Sequence, residues 1–309
     1  MRLATVTVTY NPDLAILETQ LRQLPADALR VVVDNASTAA TREALSRLCA
    51  EQGAVLVANA ENVGLATGVN IGASKARELA PDLAHLLLLD QDTEPGQGGV
   101  DALVRAYEAL LTQGYPPGCA GPRMVDAHTG LQHGFHCMTR WRWLRRFPAA
   151  NETAPVRLAN LNGSGTLVPV EIFSTLGGLD DALFIDHVDT EWSFRVLSAG
   201  YALYGIPHVA FVHRMGDASV RFWLFGWRVW PSRSPKRHFF LFRNAVILMR
   251  REYVPRVWKA WAGAKLVLTA ISHGVLDKNR RNQYREMRAG ISAGLKVRRD
   301  APDSSLSNH

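Results

Sequence analysis

Apolar runs and helical spacings alternate along the first hundred residues. The run LATVTVT (3–9) predicts a buried strand that Asn11-Pro12 ends, and 14–24 has the spacing of a helix. LRVVVDNAST predicts a second strand closing on polar residues, 40–52 a second helix, and GAVLVAN a short third strand. NVGLATGVNIGASKARELA opens on a glycine-rich turn and continues as a helix; LAHLLLLDQD predicts the next strand and 100–113 another helix. These strands are apolar throughout rather than alternating. A strand of that kind is covered on both faces, so the pattern predicts an α/β domain with a mostly parallel sheet.

After Tyr115 the pattern loosens. GCAGPRMV predicts a strand, and HGFHCMTRWRWLRRFPAANETAP reads as a loop or mobile excursion in which Trp141, Trp143 and four arginines crowd together. LNGSGTLVPVEIFSTLGG predicts a strand and a short helix, and DHVDTEWSFRVLSAG a helix closed by Gly200. YALYGIPHVAFVHRMG reads as two short strands parted by Gly205-Ile206-Pro207. From Arg221 the chain is tryptophan-rich, basic and helical in expectation, and 301–309 reads as a disordered tail.

Composition sharpens this division. The 309 residues are 47% hydrophobic, enough for one large domain or a domain with an extension. The net charge of +7 conceals an asymmetry: residues 1–220 hold 16 basic and 23 acidic side chains, residues 221–309 hold 19 and 5. A basic, aromatic tail of that kind expects an anionic partner. RFWLFGWRVW and HFFLFRNAVILMRREYVPRVWKAWAGAKLVL have the composition of interfacial helices on an anionic membrane, and equally that of an ordinary core with a solvated basic face. The longest apolar stretch, 261–276, is interrupted by Lys265 and His273 and is not expected to span a bilayer. Nucleic-acid binding is the rival reading of the tail, but the chain shows no zinc, helix-turn-helix or RNA-recognition signature. Cys49, Cys119 and Cys137 form no metal or disulfide pattern, which expects a reducing compartment, and the N-terminus lacks a secretory signal.

Ligands of open α/β sheets bind beyond the carboxyl ends of the strands. Four predicted strand ends carry polar groups: Thr9-Tyr10-Asn11, Asp34-Asn35, 59–62 and Asp90-Gln91-Asp92. On an extended segment Asp90 and Asp92 share a side, and two hard oxygen ligands there can hold Mg2+ or Mn2+ together with a phosphate. Asp34 can accept a hydrogen bond from a base imide or simply stabilise an Asp-Asn turn. The glycines of ENVGLATGVNIG allow close approach of backbone to ligand but form no phosphate-binding signature. Asp186, Asp189 and Glu191 make a second acidic cluster. Asp189 at a helix start can serve as a general base, while Glu191 and Arg195 have the spacing of a helical ion pair. His213, at the end of HVAFVH, can be a third metal ligand, although a lone histidine is more often structural.

In the order TVTYNP, VVVDNAS, ENVGLATGVNIGA, LLLLDQDT, NGSGTLVPVEIFSTLGGLDDALFIDHVDTEWSFR, FVHRMGD and HFFLFRNAVIL, the chain resembles family 2 glycosyltransferases of the GT-A fold. Within them it resembles the bacterial rhamnosyltransferases of O-antigen and related polysaccharides. The resemblance implies a GT-A, Rossmann-like domain over 1–220 and a basic helical extension over 221–300. It also implies inverting transfer of L-rhamnose from dTDP-L-rhamnose to a lipid-linked or polysaccharide acceptor, in the cytoplasm at the inner face of the plasma membrane, with Mg2+ or Mn2+. A UDP- or GDP-linked donor is the alternative. Residue by residue it implies that Thr9, Tyr10, Asn11 and Asp34 line the nucleotide pocket, with Asn62 and Gly64 beside the nucleotide-sugar. Asp92 meets the metal, Asp90 the ribose or sugar side, with Gln91 between them. Asn162, Gly163, Ser164 and Gly165 lie near sugar and acceptor, Asp189 is the base, and Glu191 and Arg195 complete its motif. His213 reaches the metal or diphosphate, and Arg243-Asn244 recurs without a derived role. The family places an acid directly before the base, where this chain has Val188 and carries its extra acid at Asp186.

Overall fold

The computed structural model describes residues 2–149, 151–214, 219–223, 227–231, 234–277 and 279–297. The chain divides into two compact units, 1–213 and 214–301, where composition had placed the division at 220. The tail 301–309 lies outside the described residues.

The first unit opens with β1 (Leu3–Thr9), α1 (Leu14–Gln23), β2 (Leu29–Asp34), α2 (Ala39–Glu51), β3 (Val55–Ala58), α3 (Gly64–Leu79), β4 (His85–Asp90) and a two-residue β5 (Thr93–Glu94). Then come α4 (Gly99–Thr112), β6 (Pro117–Asp126), β7 (Phe135–Met138), β8 (Trp143–Arg146), β9 (Val156–Leu158), β10 (Thr166–Pro169), α5 (Val170–Thr175), α6 (Val188–Ser198) and β11 (Ala202–His213). One sheet runs in the order β3-β2-β1-β4-β10-β6-β11-β5, with β9 also on β11. β3, β2, β1 and β4 are mutually parallel, β6 and β11 are parallel to each other, and β10 is inserted antiparallel between the two groups. The chain leaves β1 toward β2 and β3 on one side and returns to β4 on the other. That reversal opens a crevice at the carboxyl ends of β1 and β4.

Leu17, Leu21, Leu45 and Leu103 of α1, α2 and α4 bury themselves against Val32, Leu87 and Leu89 on one face of the sheet. α3 covers the other face, and its small residues let it lie close. A Cβ at Gly68 would stand 2.9 Å from Val8 Cγ1, and one at Gly72 would overlap Val6 and stand 3.0 Å from Val33 Cγ2. These glycines therefore serve helix–sheet packing, not the approach of a ligand. Gly64, at φ 87°, packs against the Phe184 ring and carbonyl.

Three further expectations are corrected. The stretch around Trp141 is not a loop but an antiparallel hairpin, β7–β8, because His136, Trp143 and Phe135 find apolar partners. β11 is one twelve-residue strand: Pro207 is absorbed at a register shift between Ile206 and Ala210 rather than breaking the chain. The segment after Arg221 begins with a second hairpin, β12 (Ser219–Trp223) and β13 (Trp227–Pro231), before the expected helices.

In the second unit these helices are α7 (Pro235–Arg250), α8 (Arg256–Leu276) and α9 (Arg280–Lys296). Leu241, Phe242, Ala245, Leu266 and Met287 form their core. A Cβ at Gly294 would stand 2.6 Å from the Arg243 carbonyl, so α9 sits backbone-close to α7. Among the described residues no helix is long and apolar enough to cross a membrane.

Gly72→Ala tests the α3 packing. Alanine is the better helix former by about 1 kcal/mol, yet overpacking against two stiff valines is expected to win. The net loss is about 1–2 kcal/mol in urea unfolding; an equal or raised midpoint would contradict the fit.

Candidate active site at the carboxyl edge of the sheet

β1, β2 and β4 end in register, Thr9 opposite Asp34 and Val8 opposite Asp90. The loops that follow are knitted by side chain to backbone. Tyr10 N–H donates to Gln91 Oε1 (2.8 Å) and Asn11 N–H to Ser37 Oγ (2.7 Å), while Asn11 Oδ1 accepts from Thr38 N–H (3.0 Å). Asn35 Nδ2 reaches the Gly64 carbonyl (2.8 Å), and Gly64 N–H donates to Asn62 Oδ1 (3.0 Å). Tyr10 itself is exposed at the rim.

Asp34 is fully buried. One oxygen accepts from Thr9 (3.3 Å) and from the Ser37 hydroxyl; the other accepts from Ser37 N–H (3.1 Å) and faces Arg42 Nε at 3.5 Å. A carboxylate with this many partners has its lone pairs engaged. Of the two readings the sequence left open, turn-holding is the one these contacts supply.

The turn after β4 gathers a cluster of metal-ligating side chains. Asp90 ends β4, whereas Asp92 lies in the turn, so the turn and not strand alternation brings the two acids together. β5 pairs with the end of β11, Thr93 opposite His213. One ligand atom from each of Asp90, Asp92 and His213 lies within 4.8 Å of the others, and His213 Nδ1 is 3.4 Å from Asp92 Oδ1. Two carboxylates and an imidazole, partly exposed, make a donor set suited to Mg2+ or Mn2+.

A buried hydrogen-bond chain fixes that turn. Asp90 N–H donates to Ser164 Oγ (2.9 Å), the Ser164 hydroxyl donates to Thr93 Oγ1 (2.7 Å), and Thr93 Oγ1 lies 2.8 Å from His213 Nδ1. Gln20, fully buried on α1, donates to the carbonyls of Asp90 (2.7 Å) and Thr93 (2.6 Å) and accepts from the Thr7 hydroxyl (2.9 Å). Gln20 and Thr93 were missed from the sequence. The signal was there for Gln20: a polar residue in the apolar stripe with Leu17 and Leu21.

Asp189 stands in the first turn of α6. Burial pushes its pKa up from the usual aspartate value; the N–H groups of Thr190 and Gly163 pull it down, and nearby Asp186 raises it. Gly163 and Ser164 are consecutive, so one short segment packs on Asp189 with one residue and hydrogen-bonds Asp90 with the next. Gly165 follows at φ 82°, its N–H on the Leu88 carbonyl (2.8 Å). Asn162 gives its carbonyl to the Thr166 hydroxyl (2.6 Å). The backbone entering α6 is unusual: Phe184, Asp186 and His187 all have φ near +60°, and the Phe184 carbonyl accepts from Leu65 N–H at the start of α3 (2.6 Å).

Two expected site residues are drawn inward instead. Glu191 is fully buried, and Arg195 binds both of its oxygens (2.9 and 2.8 Å) while also donating to the Leu176 carbonyl and covering the Trp192 ring at 5.1 Å. This pair fits the structural reading of the i,i+4 spacing and accounts for both side chains without a ligand. Arg243 belongs to the second unit, where it donates to Asn244 Oδ1 (3.1 Å) on α7.

The sequence pattern of Glycosyl transferase family 2 matches residues 6–177. Over 292 residues the chain is 28% identical to dTDP-rhamnosyl transferase RfbF of Shigella flexneri, with 94% of this chain and 93% of that protein covered. It is 26% identical over 243 residues to N-acetylglucosaminyl-diphospho-decaprenol L-rhamnosyltransferase of Mycobacterium tuberculosis, covering 71% of this chain and 78% of that one. The structure of GalNAc-T7 with UDP, GalNAc and Mn2+ shares the fold at a TM-score of 0.60 and 18% identity. That alignment takes in 94% of this chain, which spans 56% of the other.

Gln20→Leu would leave two buried carbonyls and a hydroxyl without their partner. A loss of about 2–3 kcal/mol in urea unfolding is expected; a loss below about 0.5 kcal/mol would remove Gln20 from the support of the turn.

Proposed function

The chain belongs to glycosyl transferase family 2, and on that premise we propose that it moves L-rhamnose from dTDP-L-rhamnose to a hydroxyl of a lipid-linked or polysaccharide acceptor. Transfer is inverting and cation-dependent. The observation that carries this reading is that consecutive residues 163 and 164 touch Asp189 and the turn of the cluster Asp90, Asp92 and His213, Gly163 by packing on Asp189 and Ser164 by accepting from Asp90 N–H. A leaving diphosphate and an attacking hydroxyl must meet at one sugar carbon, and this segment holds both halves of that chemistry at one rim. The donor choice follows the name of the Shigella relative, and the lipid-linked acceptor that of the mycobacterial one.

In this mechanism Asp90, Asp92 and His213 would hold a divalent cation, which would supply charge neutralisation for the leaving diphosphate. Asp189 takes the proton of the acceptor hydroxyl as its oxygen attacks the anomeric carbon. The desolvation that raises its pKa gives it a proton affinity closer to working pH than an exposed aspartate has. The Thr190 N–H donates to its Oδ1 (2.8 Å) and holds the carboxylate in place. The loop after β1, tied to the loop after β2 by Asn11 and Ser37 and to the turn after β4 by Tyr10 and Gln91, forms the nucleotide end of the crevice.

Residues 1–220 are the catalytic domain in this reading, and 221–300 the part that meets the acceptor and an anionic membrane surface at the cytoplasmic face. On α8 the side chains of Val267, Leu268 and Ile271 are all more than half exposed. Apolar side chains presented beside lysines and arginines suit a helix lying in a lipid interface.

Calorimetry with dTDP-rhamnose, UDP-sugars and GDP-sugars, each with Mg2+ or Mn2+, tests the donor. Binding of dTDP-rhamnose alone, lost in EDTA, is expected; a preference for UDP- or GDP-sugars would replace the donor, and full turnover in chelator would remove the cation. Asp189→Asn is expected to lower transfer roughly 10²–10⁴-fold while donor affinity stays within about twofold of the native value. Asp186→Asn separates the two candidate bases. With Asp189 as base, removing the neighbouring charge keeps turnover and moves the acid limb of kcat/KM to lower pH; abolished turnover would transfer the role to Asp186.

A further inference from the structure

The β7–β8 hairpin is absorbed by neither the cation cluster nor the base. Its turn is ordered: Thr139 N–H donates to the Arg142 carbonyl (2.9 Å), and Thr139 Oγ1 accepts from Arg142 N–H (3.1 Å). That turn holds Trp141 outward with 78% of its surface exposed and the Arg140 guanidinium 5.0 Å above its ring. Leu144 and Phe147 are exposed on the same excursion. Residues 127–151 contain four arginines and no acidic residue.

The base of the hairpin is fixed against the site. Trp143 packs on Phe194 of α6 at 6.0 Å, and His136 stacks on Trp143 at 5.5 Å. Just before β7, His133 meets His213 edge-on at 6.4 Å. The base of the hairpin is thus held to the helix of Asp189 by Trp143, and the segment leading into it meets His213 of the cation cluster, while Trp141 at the tip faces water. An ordered turn that exposes a tryptophan between arginines has the chemistry of a bilayer interface: the indole enters the headgroup boundary and the guanidinium groups meet anionic phosphates.

We infer that the tip of this hairpin, Arg140-Trp141-Arg142, seats the catalytic unit on an anionic lipid surface and so sets the height of the crevice above the membrane. The inference rests for its purpose on the reading of a lipid-held acceptor. Its contact with lipid is measurable without turnover.

Full-length protein is floated with vesicles of phosphatidylcholine alone and with phosphatidylglycerol added, at low and high salt. The double variant Arg140→Ser/Arg142→Ser and the single variant Trp141→Ser are expected to partition roughly tenfold less to the anionic vesicles, with dTDP-rhamnose binding unchanged in both. Brominated acyl chains should quench a fluorescence component present in the native protein and absent from Trp141→Phe. Native partitioning by both variants, or no such component, overturns the inference, as does quenching of Trp141 by a soluble acceptor saccharide in place of lipid. Failure of donor binding with the lipid contact intact would remove the proposed function and leave the seating supported.

Discussion

Two consecutive residues hold this site together. Gly163 packs against Asp189, where a Cβ would stand 3.5 Å from Asp189 Cβ, and the Ser164 hydroxyl accepts from Asp90 N–H and donates to Thr93 Oγ1. Adjacent Cα atoms are about 3.8 Å apart, so this segment keeps Asp189 and the acidic turn close to one another. Gly165 continues the constraint. Its positive φ and its bond to Leu88 turn the chain into β10, which lies antiparallel against β4. The inserted antiparallel strand is therefore what brings residues 162–165 to the carboxyl edge of a sheet whose other central strands run the opposite way.

Around that segment the rim is held by buried polar groups. The carbonyls of Asp90 and Thr93 are held by Gln20, a side chain with no access to water. Buried amide bonds of this kind add modestly to stability when made and cost far more when broken, so they define one geometry rather than many. Strain concentrates in the same place. The non-glycine residues with positive φ among those described are Asn11, Ala36, Phe184, Asp186 and His187. All lie in the loops after β1 and β2 or in the entry to α6. Such conformations cost of order 1–3 kcal/mol each and persist where surrounding contacts over-determine them. Phe184 shows how: its carbonyl is bound by α3, and its ring fills the space left open by Gly64.

The chemistry is correspondingly local. Glu191 and Arg195 share the motif of Asp189 but face the core, where a bidentate ion pair and a tryptophan ring fix the first turns of α6. A buried, satisfied acid two residues from an acid with a raised pKa shows that spacing alone does not assign roles; the partner does. The second unit contributes a separate three-helix core and a basic surface, and its charge is opposite to that of the first 220 residues.

The periodicity of the chain by itself determined the α/β class, the order of the first four strands and their helices, and the polar strand ends that became the rim. Those signals are local: an apolar run long enough for a buried strand can be read without its neighbours. The likeness of ordered motifs carried the family and the acids at 90, 92 and 189. What only the tertiary structure decided depends on partners far apart in sequence. The hairpin around Trp141 exists because its aromatic residues find Phe194 and one another, and β11 survives Pro207 because β6 accepts a register shift. His213 meets Asp92 through a two-residue pairing across 120 positions, and the glycines of α3 turn out to touch valines instead of a ligand. A side chain's role follows from what it is packed against, and packing between remote segments leaves no period in the sequence.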